Sequence, residues 1–360
     1  MKVTTVGLDL AKSVFQVHGI NAAGHREFNR QLRRGLVVET FARLEPCVVA
    51  MESCAGANHW ARRLQALGHQ VRLIAPQYVK PFVKTNKNDA ADAQAICIAA
   101  LQPEMRFVSP KNTEQQGVMA LHAMRSGAMK ARNAIANRLR GLLAEFGVIV
   151  PQGIGHVYKR VPEALEDASN ELPGFLRVAL QAEYEQLRLQ EQHLQAMHSM
   201  LQRWERESVA CRAVERIPGI GILGASALVA SMGDVNAYAN GRQVSAWTGI
   251  VPKQHSSGGK QRLLGISKRG DAYLRTLLIH GARSVIAAVK RRLNAGLDPA
   301  RLSRTERWLL DLVNRRNANV AAVALANKNV RTAWAILAHG KPYEAEHVSI
   351  NPRSRAAVPA

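Results

Sequence analysis

Four carboxylates in this chain have the types and spacing that metal-dependent chemistry needs. Asp9 ends the run 3–8 (VTTVGL). Glu52 follows 47–51 (CVVAM). Asp89 and Asp92 stand three apart in 88–101 (NDAADAQAICIAAL). Residues three apart on a helix share a face, and strand ends of an open α/β sheet are where ligands and metals collect. Four such acids can hold two hard divalent cations through oxygen, and a pair of ions about 4 Å apart can flank a phosphodiester. Each acid alone has an ordinary reading as well. Asp9 could close a turn, and Asn88-Asp89 could cap a helix.

A second chemical feature lies far downstream. Residues 251–275 carry Lys253, Lys260, Arg262, Lys268, Arg269 and Arg275 against one acid, Asp271, and they surround His255-Ser256-Ser257-Gly258-Gly259. A serine among glycines is usually linker, and a hydroxyl is a weak nucleophile until a base, metal or cations activate it. Ile217-Pro218-Gly219-Ile220-Gly221 is a third feature. Its proline suits the first turn of a helix and its glycines allow close approach of a phosphate to backbone N–H groups. That is the hairpin of a helix-hairpin-helix element. A tight helix-helix turn inside a core is the competing reading.

The elements that must position these residues follow from periodicity. β-branched runs at 3–8, 13–20 and 70–74, a return strand at 25–30 and the buried run 47–51 predict strands. Helical patterns cover 36–44, 57–67 and 88–101. Strands first, then strands alternating with helices, describe an α/β domain. Residues 113–147 and 174–207 read as two long helices, an antiparallel hairpin or coiled coil, with 147–173 as a broken connector. This is an oligomerisation or spacer arm, or else a plain helical insert. Mostly helical, basic sequence runs from about 211 to 337. The expected domains are 1–108, 109–210 and 211–340, with a flexible tail at 341–360.

Composition narrows the partners. The 360 residues carry a formal net charge of +22. A bias of that size in a folded protein points to nucleic acid, with an anionic membrane surface as the alternative. Asp9 and Lys12 interrupt any signal peptide, and the longest uncharged stretch, 217–233, is glycine-interrupted and too short to span a bilayer. The chain is therefore expected in the cytoplasm. Cys47, Cys54, Cys97 and Cys211 show no C-x-x-C spacing and read as reduced thiols.

The patterns V-G-L-D-L-A-K, M-E-S and K-N-D-A-A-D-A resemble the RuvC-like (RNase H fold) domain of the Asp-Glu-Asp-Asp transposases, of the insertion-sequence family related to Piv-type DNA invertases. In order after them come I-P-G-I-G, W-T-G-I-V-P, H-S-S-G-G and G-I-S-K-R-G-D-A-Y-L-R, similar to that family's C-terminal transposase domain. The resemblance implies that Asp9, Glu52, Asp89 and Asp92 bind Mg²⁺ or Mn²⁺. It implies that Ser257, with Ser256 as the adjacent rival, is the nucleophile, and His255 is a candidate base. It places Pro218, Gly219, Gly221, Lys253, Lys260, Arg262, Lys268, Arg269 and Arg275 against nucleic acid. The implied activity is recombination of donor and target DNA through a phosphoserine, guided by a noncoding bridge RNA. The implied assembly is a homo-oligomer (dimer or tetramer) in which metal site and serine come from different protomers. The alternative is a RuvC-like, Holliday-junction-type endonuclease using water. Aromatic residues make up only 5% of the chain, which disfavours base stacking as the main mode of recognition.

Overall fold

The computed structural model describes residues 2–83 and 88–347. Of the expected tail at 341–360, residues 348–360 lie outside the described residues, as does Lys87 of the quoted K-N-D motif. The chain divides into two compact units, Met1–Gln116 with Ala230–Ala237 and Gly117–Val229 with Tyr238–Ala360.

The first unit is a mixed α/β domain. Its strands are β1 (Val3–Asp9), β2 (Val14–Asn21), β3 (Arg26–Arg33), β4 (Val48–Glu52), β5 (Gln70–Ile74) and β6 (Phe107–Val108). Its helices are α1 (Val37–Ala42), α2 (Ala57–Ala66), α3 (Pro76–Val79) and α4 (Asp89–Ala100). The sheet order is β3-β2-β1-β4-β5-β6. β1, β4 and β5 run parallel, while β2, β3 and β6 each run antiparallel to the strand they join. This arrangement is consistent with an RNase H-like domain. The strands read from β-branched runs are all present, and only the two-residue β6 was not anticipated. One core joins Val6, Leu8, Phe15, Val49 and Met51 of the sheet to Phe41 of α1 and Trp60 and Leu64 of α2. A separate core joins Ala50 and Ile74 to Ala95, Ile96 and Ala99 of α4. Neighbouring side chains of β4, Val49 and Ala50, therefore serve opposite faces, as pleating requires.

The second unit is mostly helical. Two long helices, α5 (Thr113–Ala144) and α7 (Gly174–Glu207), flank α6 (Ile154–Glu166). Leu180, Leu187, Leu194 and Leu201 recur every seven residues on α7 and are all buried, the spacing of a coiled-coil seam. Arg132 pairs with Glu191 at 2.9 Å, and Arg138 with Glu183. The partner moves back along α7 as α5 advances, so the two helices are antiparallel. The expected broken connector at 147–173 is corrected by α6, which continues through Pro162. Proline leaves the carbonyl four residues back without its helical donor. That carbonyl is Tyr158 O, and the Tyr184 hydroxyl on α7 donates to it at 3.1 Å.

Beyond the arm come α8 (Val209–Glu215), α9 (Ile222–Met232), α10 (Gly241–Thr248), the hairpin β7 (Pro252–Gln254) and β8 (Leu263–Ile266), then α11 (Ala272–Asn294), α12 (Arg304–Arg315) and α13 (Ala318–His339). Among the described residues no helix is long and apolar enough to cross a membrane.

Candidate active site

Asp9 is the last residue of β1, and Asp89 and Asp92 fall in the first turn of α4. Asn88 caps that helix, its side chain accepting from Ala91 N at 2.7 Å. The capping role weighed for Asn88-Asp89 therefore belongs to Asn88, and Asp89 and Asp92 share the helix face expected of them. Carboxylate oxygens of Asp9, Asp89 and Asp92 lie within 4.8 Å of one another. The close approach depends on Gly7. A Cβ there would meet Ala93 O at 2.1 Å and Cys97 N at 2.8 Å, so β1 can touch α4 only because residue 7 has no side chain.

Glu52 ends β4, the parallel neighbour of β1. It stands outside the tight triad, yet its charge reaches Asp9. Burial, then Asp92, Asp89 and Glu52, push the Asp9 carboxyl up to about 6. Among the described residues, Asp9, Asp89 and Asp92 form no ion pair with Lys or Arg. Packed like charges without a counter-charge suit a hard divalent cation bound through oxygen.

The serine region, where a serine among glycines would usually be linker, is instead the tip of the short β7–β8 hairpin. Gly258 (φ 53°) and Gly259 (φ 77°) occupy its tip, the left-handed pair that a two-residue hairpin turn demands. Lys260 N donates to Ser257 O at 3.0 Å, and His255 N to Arg262 O at 2.9 Å. The two serines differ. Ser256 Oγ accepts from Gln254 Nε2 at 3.1 Å and from Arg262 N at 3.2 Å. The Ser257 hydroxyl forms no hydrogen bond to another described residue and is exposed. Lys253, His255, Lys260 and Arg262 are exposed on the same hairpin.

Two family models match this chain. One, for a DEDD transposase of the IS110 type, covers residues 6–147. The other, described as the transposase of the IS116/IS110/IS902 family, covers 211–297. The transposase for insertion sequence element IS1111A of Coxiella burnetii is 41% identical over 341 residues, 95% of this chain and 91% of that protein. The transposase for IS1328 of Yersinia enterocolitica is 38% identical over 338 residues, 94% and 98% of the two chains. A Pseudomonas aeruginosa protein named "Probable family 20 transposase" is 46% identical over 344 residues, 95% and 99%. The chain belongs to the IS116/IS110/IS902 family of transposases.

The transposase is thus a DNA-processing enzyme, and its DEDD domain points to divalent metal use. Its other sequence-predicted nucleic-acid residues are placed unequally. Pro218 lies in the turn before α9 rather than in a helix, and its carbonyl accepts from Asn329 Nδ2 at 2.8 Å. Gly219 packs on α11, where an added Cβ would meet Gly281 O at 2.9 Å. Both stand in a tight turn between helices, Pro218 exposed and Gly219 half-buried. Gly221 faces open space. Lys268 and Arg269 are exposed, in a segment that crosses Gly249 so closely that a Cβ there would meet Arg269 O at 1.8 Å. Arg275 is half-buried and donates to Thr248 O at 3.3 Å, capping α10.

One polar cluster was not singled out from sequence. His122 on α5 is 1% exposed. Its Nε2 is 3.0 Å from Ser226 Oγ and its Nδ1 2.9 Å from Tyr273 Oη. Ser226 donates its proton to Ile222 O at 2.6 Å, so it accepts from Nε2–H, and the Tyr273 hydroxyl donates to Nδ1. Tyr273 belongs to the G-D-A-Y-L-R motif that opens α11. The available signal was a lone histidine in a helical pattern, which does not name its partners.

Proposed function

We propose that this transposase cuts and rejoins DNA through a covalent Ser257 intermediate, with Asp9, Glu52, Asp89 and Asp92 holding Mg²⁺ or Mn²⁺. The observation that carries the choice of serine is the contrast at the hairpin: the Ser256 hydroxyl is engaged twice, the Ser257 hydroxyl by none of the described residues. In the proposed step Ser257 Oγ attacks phosphorus and loses its proton to a base, for which His255 is the adjacent candidate. The P–O3′ bond breaks, the 3′ oxygen leaves and takes up a proton, and the 5′ end stays on Ser257 as a phosphodiester. Attack by another strand's 3′ hydroxyl reverses the step, so rejoining needs no ATP. Lys253, Lys260 and Arg262 on the hairpin supply positive charge where charge develops. Bound divalent ions would polarise the phosphodiester and stabilise the developing charge.

The division into a metal domain at 1–108, an arm at 109–210 and a serine domain at 211–340 is part of this proposal, as is a dimer or tetramer. So is guidance by a noncoding bridge RNA, for which base pairing would read sequence while the basic protein holds backbone.

The test is denaturing electrophoresis of the protein with 5′-labelled element-end DNA and Mn²⁺, followed by peptide mapping. Ser257→Ala loses the adduct and still binds DNA, while Ser256→Ala keeps it. An adduct mapped to Ser256 moves the nucleophile by one residue. Metal-dependent cleavage with no adduct in any variant replaces the proposal by the water-using nuclease.

A further inference from the structure

Near the carboxyl-terminal edge of the sheet in the first unit, beside its acids, stand arginines that pair with no carboxylate among the described residues. β1 ends there at Asp9 and β4 at Glu52. β3 arrives at the same edge, because Val14, the first residue of β2, pairs with Arg33. Arg34 follows, tied by its N–H to Ser13 O at 2.9 Å. Its guanidinium carbon lies 5.3 Å from the Trp60 ring centroid and 5.7 Å from that of Phe15. Both rings are buried, so Arg34 covers them from the solvent side. A guanidinium packed over aromatic rings can keep N–H groups for an outside acceptor and loses little side-chain freedom when it finds one.

α2 starts five residues after Glu52, and His59, Arg62 and Arg63, spaced three and four apart, share one of its faces next to Trp60, the ring that Arg34 covers. The His59 ring meets the edge of Trp60 at 5.3 Å. Burial, then the positive field of Arg62, Arg63 and Arg34, hold His59 below the ordinary histidine range. Arg62 donates to Lys111 O at 2.6 Å. Arg34 and Arg63 have no carboxylate within ion-pair distance among the described residues. Guanidinium groups gathered without an acid repel one another unless an anion joins them, and this edge is shared with the acids that would hold metal against a phosphodiester.

We infer that Arg34 and Arg63, steadied by Trp60 and His59, form a binding site for a non-scissile backbone phosphate of the nucleic-acid strand led to the carboxylates. The site fixes how the strand enters. It contributes no group to bond breaking. The shared chemistry is a sugar-phosphate backbone, and a DNA strand and an RNA strand are its two sources. The inference rests on the carboxylate reading above for its direction, and is independent of the serine.

The experiment is fluorescence anisotropy of the full chain in EDTA, with labelled duplex DNA carrying an element end and with an RNA hairpin of equal length, over a range of salt. Arg34→Gln and Arg63→Gln are compared with Arg43→Gln, an exposed residue at the C-terminus of α1, toward the opposite end of the sheet. Arg63 is exposed on α2, so its replacement leaves the core intact. Each site variant is expected to weaken binding about five- to tenfold and the pair to lower the salt slope by about 2, since each lost phosphate contact removes about 1. Arg43→Gln stays within about twofold. An effect on DNA alone assigns the site to the DNA strand, and one on RNA alone to the RNA. Site variants no weaker than Arg43→Gln with either probe overturn the inference. Asp9→Asn is expected to keep its binding in this assay and, in a separate reaction with Mn²⁺, to lose cleavage, so failure of the carboxylate reading shows separately.

Discussion

At the scale of single residues, the metal-free site stores its own repulsion, and Asp9 reports it. Its carboxyl is raised to about 6, by burial first and by Asp92, Asp89 and Glu52 after. A carboxyl with a raised folded value binds its proton more tightly folded than unfolded. The metal-free fold therefore loses stability as pH rises from about 4 through 6 and does not regain it above. The loss is on the order of 1 kcal/mol once solvent screening at this partly exposed group is allowed for. Asparagine mimics the protonated state. Asp9→Asn is thus expected to raise the melting temperature at pH 7.5 in EDTA by a few degrees and to remove most of the rise that Mg²⁺ or Mn²⁺ gives the unaltered protein. Calorimetry with and without metal checks both. An Asp9→Asn protein that melts lower in EDTA, or still gains fully from metal, would show that Asp9 is neither repelled nor a ligand.

At the scale of elements, His122 ties three helices together and gives a pH dependence of opposite sign. Burial, with Arg125 next, lowers its pKa to about 4. The Tyr273 hydroxyl donates to its Nδ1, so a second proton would meet a donor. The unfolded histidine takes that proton near 6.5 and the folded one does not. Stability is therefore lost as pH falls from about 6.5 toward 4, by about 2 kcal/mol between pH 7.5 and 5. In urea unfolding, His122→Gln is expected to be less stable at pH 7.5 and to lose about 2 kcal/mol less between those two pH values. An unchanged pH slope would remove His122 as its source. Neither this network nor α6 was legible in the sequence, for one physical reason: each depends on a partner far along the chain. Pro162 says stop, and only Tyr184 on another helix supplies the donor that lets α6 continue. The sheet and long helices were legible because their signals are local: β-branched runs, Gly68 after α2, leucines every seven residues on α7. Asp9 and Glu52 were legible as strand ends. Gly7, which brings β1 against α4, sat unremarked in V-G-L-D-L because a missing side chain has meaning only once its neighbour is known. The serine hairpin was missed because its strands are exposed and too short to show alternation. The Gly258-Gly259 pair was its one local mark.

At the scale of the whole molecule, the charge of +22 sets how the transposase meets DNA. Lysines and arginines displace counterions condensed on the duplex, so affinity falls as a power of salt concentration. If six or more phosphates are engaged, binding weakens by about 10³-fold between 50 and 200 mM salt. In the proposed mechanism the carboxylates act on bond breaking, and their charge is opposite, so they add nothing to that attraction. Metal removal is therefore expected to stop cleavage and leave the salt slope unchanged within about one unit. The guide proposal adds a separate consequence. A chain this basic and poor in aromatic residues suits holding a backbone whose bases are read by pairing. Protein purified at low salt from cells carrying the whole element is expected to hold one discrete RNA, and RNase treatment to abolish recombination of matched sites until that RNA is returned. Recombination at full rate by RNase-treated protein would overturn the guide role and leave DNA binding untouched. A salt slope near zero would overturn the electrostatic account itself and turn attention to the bases.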